Sequence, residues 1–498
     1  PVVSEQRTMA SLLNTSTDFG LERGNNTYLI AAVGIATVVG WRILSNSQKK
    51  VSRNLPPVSN MGTIEYLTNL LGDQGPMFCL KMAREIGYVH RSPVGLGSGK
   101  TWNIIGEPKL ARQILENPKH TKPKVAYEVF DLAASGDTFF STDEARGIHV
   151  RKSTMPAFSQ KNVKMMEPIV SEAVERWIAE CVEPGLKAET PIDISESVGL
   201  LTMDVIGRAA FEIDLDIEMR RRLATSIRTC MKTFFLQGLH PLKKLFGFMF
   251  ADVRHARKLA LEMKAFGLQI IKKCRENPNP NKQSVVYLMI QDEAYASDDE
   301  RARDISLYFF GGYETTSHSI AWTVLELARN PEEQQKLRKA LAEFLVKEPG
   351  TNPQCCPQLR NVSKEILRLH TPAALGSTRQ VSEDVIIPGT NQLIPKGSFC
   401  SMVYYVILRN HNVFARADEF SPSRWENPTR EMQKAYMPFA AGKRNCQGQA
   451  LATLELNSVV ASLCQRYSFE VVEEGRPYYM IALRPEGTKI VLKKLEQQ

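Results

Sequence analysis

Residues 439–448 read Phe-Ala-Ala-Gly-Lys-Arg-Asn-Cys-Gln-Gly, and no other stretch restricts the fold so tightly. Gly442 permits the positive φ of a tight turn, and Gly448 lets backbone approach a flat group closely. Arg444 carries a forked cation suited to a carboxylate. Cys446 lies just ahead of Ala450–Leu463, whose apolar positions recur with helical spacing. A thiolate at a helix start is stabilised by the dipole and by free N–H groups, which also tune a bound metal. A lone cysteine is usually a small buried apolar residue. Five determinants within ten residues (Phe439, Gly442, Arg444, Cys446, Gly448) point instead to a shaped loop that presents sulfur.

The chain has 498 residues, enough for a large core, and from about residue 60 onward shows no long linker, repeat or low-complexity stretch. Nine cysteines at irregular spacing, with no CxxC, argue against a disulfide framework and against structural zinc. The bulk of the chain is therefore expected in a reducing compartment. Its formal net charge of +9 suits an anionic membrane surface or an acidic partner. With no zinc spacing, basic repeat or aromatic-interleaved basic stripe, nucleic acid is excluded as a partner.

Tyr28–Leu44 is 17 residues, apolar except for Thr37 and Arg42, at the lower edge of what spans a bilayer. Arg42, Lys49, Lys50 and Arg53 follow it and only Arg23 stands close before it, so the C-terminal body is expected in the cytosol. The expected organisation is a lumenal or processed segment (1–27), a transmembrane anchor (28–44), a basic, proline-rich hinge (45–59) and a catalytic domain (60–498). Leu55-Pro56-Pro57 stiffens the hinge. Region 234–250, apolar and basic at once, fits either core or a membrane surface.

Helical patterns dominate that body: 165–183, 196–211 and a long run from Ala302 to Arg329, stopped by Asn330-Pro331. Strand signals are few. Val385–Ile387 and Ile394–Val403 flank Pro388-Gly389, and Met480–Leu483 is expected to pair with Lys489–Leu492 across Pro485-Glu486-Gly487. The fold class is mainly α with small β-sheets.

Two further blocks carry chemistry. Gly311-Gly312-Tyr313-Glu314-Thr315-Thr316 sits inside the long helix, where two glycines cost about 1 kcal/mol each and need a reason. Glu365 and Arg368 stand at i, i+3 on one helical face, where they can pair.

The complete FxxGxRxCxG loop, with these blocks in order behind it, resembles the haem-binding chain of the cytochrome P450 superfamily, eukaryotic microsomal type, over nearly the whole length. The resemblance implies a single large domain that holds haem b through the Cys446 thiolate. Gly311 and Gly312 would open the long helix over the haem, with Glu314 and Thr315 as an acid–alcohol proton relay. Arg151, Arg379 and Arg444 would bind propionates, and Arg424 would join a buried Glu365–Arg368 pair that shapes the cysteine loop. One atom of O2 would enter a lipophilic substrate: a fatty acid, sterol, terpenoid or xenobiotic. Electrons would come from NADPH through a separate cytochrome P450 reductase, with cytochrome b5 as a second donor, since the chain has no GxGxxG of its own. Lys443 would help steer that acidic partner. Residence in the endoplasmic reticulum membrane is implied, with a plastid or mitochondrial membrane as the alternative.

Phe139, Phe140, Phe309, Phe310 and Thr371–Ser377 match pocket-lining stretches. Gly147 stands where the family usually has Trp, so one propionate hydrogen bond is expected to be missing; Trp425 stands where Phe is commoner. Two rivals are an isomerase or dehydratase acting on peroxides, which would not need Glu314–Thr315, and a non-catalytic membrane-tethered haem binder.

Overall fold

Ser297 begins the element around which the rest is arranged. Its hydroxyl accepts from Glu300 N at 3.3 Å, and Asp298, Asp299 and Glu300 place negative charge against the positive end of the helix dipole. The helix then runs 32 residues, Asp298–Arg329, and ends before Pro331. At 1.5 Å per residue that is about 48 Å, enough to cross the body. It is buried nearly all round, which makes it a core helix rather than a surface one.

The computed structural model describes residues 54–97, 99–141, 145–278 and 283–495. The elements that position the site are α1 (Ala145–Thr154), α2 (Ile194–Phe211), α3 (Ile217–Leu239), α4 (Ala251–Glu276), the long helix α5 (Asp298–Arg329), α6 (Pro357–Leu369) and α7 (Gln449–Arg466). Asp193 caps α2, accepting from Glu196 N at 3.0 Å, and Thr202 ties α2 to α5 through the Tyr313 carbonyl at 3.1 Å.

The sheets are small and peripheral. β1 (Val89–Gly95), β2 (Thr101–Ile105), β4 (Ser377–Gln380) and β7 (Phe399–Met402) form one sheet in the order β1-β2-β7-β4, with β2 and β7 parallel. β3 (Ile192–Asp193), β8 (Tyr467–Glu473) and β11 (Lys489–Lys494) form another, in the order β3-β11-β8. The expected turn at Pro388-Gly389 is present: β5 (Val385–Ile386) pairs with β6 (Leu393–Ile394). The following run does not continue as one strand. Gly397, at φ 81°, turns the chain and delivers β7 to the four-stranded sheet.

The expected pairing of 480–483 with 489–492 is wrong. β10 (Leu483–Glu486) pairs back onto β9 (Arg476–Tyr479), whereas β11 pairs with β8. Gly487, at φ 76°, is a turn between two different sheets. Leu483 is buried beside Trp322, whose indole donates to its carbonyl at 3.1 Å, while Ile490 and Leu492 bury separately. Long-range burial chose the partners, and turn residues alone do not encode it.

Among the described residues no helix is long and apolar enough to cross a membrane, and Tyr28–Leu44 lies outside them. Region 234–250 divides. Phe234 on α3 is core, whereas Leu245, Phe248 and Met249 are exposed beyond it.

Candidate functional site

The cysteine loop is held by its own backbone. Cys446 N donates to the Phe439 carbonyl at 2.9 Å, and Asn445 N to the Gly442 carbonyl at 3.2 Å. Gly442 has φ 73°, and a Cβ there would stand 2.7 Å from the Leu115 carbonyl oxygen, so both conformation and space demand glycine. Ala440 shares the left-handed region at φ 66°, a strain that nothing in the sequence announces. Gly448 has an ordinary φ of −79°; a Cβ on it would lie 4.0 Å from Cys446 Sγ, on the flank of the sulfur.

Cys446 is exposed, yet the protein crowded around it raises the pKa of its thiol by desolvation. The Gly448 N–H and the Arg151 guanidinium pull the other way. Arg151, from α1, clasps the loop from outside: it donates to the Lys443 carbonyl at 3.2 Å, to the Asn445 carbonyl and to Asn445 Oδ1. Gln447 answers from the loop, donating to the Arg151 carbonyl at 2.8 Å.

The middle of α5 opens at one residue. Gly311 is exposed in the middle of a mostly buried helix, and a Cβ there would meet nothing within 4 Å. Gly312 behaves differently. A Cβ on it would stand 2.7 Å from Ile206 of α2, so it is a packing glycine and not part of the opening. The Thr315 hydroxyl donates to the Gly311 carbonyl at 2.9 Å, one turn back at the same opening. Glu314 is buried, and its Oε2 has no hydrogen-bond partner. Burial pushes its carboxyl up to about 7, with Arg484 and Arg228 opposing.

Arg379 is 1% exposed on β4; it donates to the Tyr127 hydroxyl at 3.2 Å and the Thr378 carbonyl at 3.0 Å, while its Nε has no partner. Arg444 donates to the His120 carbonyl at 3.2 Å. Behind the loop, Glu365 and Arg368 are wholly buried and joined by two bonds of 2.9 Å. Arg368 also donates to the Leu408, Ala417 and Glu419 carbonyls at 3.0, 2.6 and 3.1 Å. Arg424 joins Glu365 at 3.2 Å. Trp425, read from sequence as a tolerated aromatic, donates its indole N–H to Glu365 Oε2 at 2.9 Å. Burial pushes the Glu365 carboxyl up, but these donors outweigh it and hold the group below its ordinary range.

The family model for cytochrome P450 matches residues 56–494. This chain belongs to the cytochrome P450 family. It is similar to cytochrome P450 4F5 of Rattus norvegicus, 26% identical over 76% of this chain and 78% of that protein. It is likewise similar to cytochrome P450 4d2 of Drosophila melanogaster, 25% identical over 88% and 93%, and to cytochrome P450 3A6 of Oryctolagus cuniculus, 28% identical over 76% and 80%. Members of the family are haem-containing monooxygenases, and this P450 is an oxidoreductase of that kind.

The residues of this P450 fit the group the family implies. A buried guanidinium nitrogen on Arg379 is left for an acceptor, the thiol surface of Cys446 is uncovered, and Gly311 leaves open space at mid-helix.

The aromatic residues of the expected pocket separate into two groups. Phe139 stacks on Tyr308 at 5.2 Å and Phe309 on Phe211 at 4.7 Å; both belong to the core. Phe310 and Phe140 each meet Phe130, at 5.3 and 5.0 Å. Phe310 and Phe130, with Ile227, Met231 and Met263, wall a small apolar cavity between α3, α4 and α5. Phe130, Ile227 and Met231 escaped the sequence reading because their shared cavity joins segments about 100 residues apart.

Proposed function

We propose that this P450 holds haem b through the Cys446 thiolate and inserts one atom of O2 into a lipophilic organic substrate. The observation that carries this is the uncovered Cys446 thiol at the head of α7, on a loop braced by Arg151. Bound there, the haem would supply oxygen activation, and thiolate ligation favours O–O cleavage. Arg379, Arg151 and Arg444 would hold its propionates. Gly311 leaves open space at mid-helix, and the Thr315 hydroxyl would hold water at that opening. Glu314, poised near neutrality, passes protons inward. Phe310 and Phe130 exclude water from the substrate side. A peroxide-rearranging enzyme has no use for a buried carboxyl so placed.

Electrons reach the enzyme from NADPH through a separate reductase, with cytochrome b5 as a second donor, docking near Lys443. Residues 28–44 anchor the chain in the endoplasmic reticulum membrane, or in a plastid or mitochondrial one, with 1–27 beyond it and 45–59 as hinge. Residues 60–498 face the cytosol. The exposed Leu245, Phe248 and Met249 give the body a second apolar contact with that surface. Fatty acids, sterols, terpenoids and xenobiotics are the substrate classes.

Cys446→Ser tests the ligand. The wild type is expected to show the shifted absorption of a thiolate-ligated ferrous carbon-monoxide complex, and the variant to lose it. Persistence of the shift would mean that another residue is the ligand.

A further inference from the structure

β4 is the edge strand of its sheet, so the backbone on its open side needs partners other than a neighbouring strand. Segment 120–127 supplies them. Thr121 N donates to the Gln380 carbonyl at 3.1 Å, and the Thr121 carbonyl accepts from Gln380 N at 2.7 Å. Two residues back along β4 the partner is a side chain. The Tyr127 hydroxyl donates to the Thr378 carbonyl at 3.1 Å and accepts from Thr378 N at 3.2 Å. Tyr127 stands between two short helices, Lys124–Ala126 and Glu128–Ala133, with its ring buried edge-on against Phe140 at 5.7 Å.

The same hydroxyl fixes Arg379. A phenol has one proton to give and two lone pairs to offer. The proton goes to the Thr378 carbonyl, and the lone pairs take Thr378 N and Arg379 Nη1. Nη1 has two protons, and both are committed: one to Tyr127 and one to the Thr378 carbonyl at 3.0 Å. What the guanidinium keeps is the edge that carries Nε, which is buried and without a partner. An orphaned buried donor is a standing cost, and that forked edge matches a carboxylate. The segment grips the cysteine loop as well, since Arg444 donates to the His120 carbonyl at 3.2 Å. One stretch of chain therefore joins β4 to the loop and touches both arginines.

We propose that Tyr127 is a positioning residue of the haem carboxylate site: by holding Nη1 of Arg379 it presents the Nε edge to one propionate. This rests on the reading of Arg379 as a propionate ligand. The hydroxyl does not touch the carboxylate and acts through the guanidinium. Its effect is preorganisation, because a fork already locked in place loses less freedom when the carboxylate arrives. Phenylalanine at 127 would keep the ring and its packing but release Nη1, so that binding a propionate would have to order the arginine too.

The test needs no turnover. Full-length wild type, Tyr127→Phe, Arg379→Gln and the double variant are each loaded with haem b or with its dimethyl ester, which has no free carboxylate. Release of the cofactor into excess apomyoglobin is followed by absorbance. Tyr127→Phe is expected to release haem b about tenfold faster than wild type, the fold-change of one hydrogen bond to a charged group at the low end. With the dimethyl ester the two should release alike. The double variant should release haem b no faster than Arg379→Gln, because the hydroxyl has nothing left to act through. Equal acceleration with both cofactors, or additive effects in the double variant, would make Tyr127 a support of the fold alone and overturn the proposal. A Tyr127→Phe chain that takes up neither cofactor does the same. If Tyr127→Phe matches wild type while Arg379→Gln loses haem b faster than the ester, the proposal fails and the role of Arg379 stands. If Arg379→Gln shows no preference between the two cofactors, the reading beneath it fails.

Discussion

Trp425→Phe isolates one bond in the network that backs the cysteine loop. Glu365 Oε2 accepts from Arg368 Nε and from the Trp425 indole, both at 2.9 Å, while Oε1 accepts from Arg368, Ser421 and Arg424. A hydrogen bond to a charged group is worth about 1.5–3 kcal/mol. One donor would remain on Oε2, so the low end applies. Trp425 is 5% exposed and meets Tyr436 edge-on at 4.8 Å, so the smaller ring also leaves a cavity worth about 1 kcal/mol. The expected loss is therefore roughly 2–3 kcal/mol, read by chemical denaturation of the haem-loaded protein followed by far-ultraviolet circular dichroism.

The pH dependence separates the two contributions. The folded Glu365 carboxyl lies below its ordinary value. Its contribution is thus present above the unfolded pKa of about 4.3 and disappears as pH falls through the lower folded value. Losing the indole raises the folded pKa, so most of the deficit of Trp425→Phe should be present at neutral pH and shrink as pH drops below about 4. A deficit under about 0.5 kcal/mol at neutral pH would refute the bond's contribution, and one unchanged through the acid range would assign the whole effect to ring volume.

The two mid-helix glycines should part company on substitution. Gly312→Ala drives a methyl into Ile206 and should cost about 1–3 kcal/mol. Gly311→Ala meets open space and should gain up to about 1 kcal/mol of helix propensity while narrowing the opening, seen as a changed spectral response to added ligands. Glu314 has a raised folded pKa, about 7, so its burial costs stability progressively as pH climbs from about 4.3 toward that value and fully above it. Glu314→Gln should accordingly be more stable than wild type by up to roughly 3 kcal/mol at pH 8 and about equal at pH 4, a difference denaturation at the two pH values would show. Reductase-driven rates should fall with rising ionic strength if cations near Lys443 steer the partner.

The linear chain already contained whatever depends on short-range chemistry. The long helix is legible over 302–329 from its apolar periodicity and its Asn-Pro stop, while its Ser297 cap and acidic first turn place the start four residues earlier, at Asp298. The loop at 439–448 is legible because glycines are needed where φ is positive, and the pairing of Glu365 with Arg368 because a helix puts i and i+3 on one face. Tertiary structure decided what depends on which distant surfaces meet. It gave Gly311 to open space and Gly312 to Ile206, sent Leu483–Glu486 and Lys489–Lys494 to different sheets, and buried Phe139 and Phe309 in the core while Phe310 reached the cavity. It also turned the Trp425 indole onto Glu365 and brought Arg228 and Arg484, from other elements, to act on Glu314. Local propensity is a property of a few neighbouring residues. Burial and the pairing of polar atoms are properties of the whole packed body, and they exist only once distant segments have been brought together.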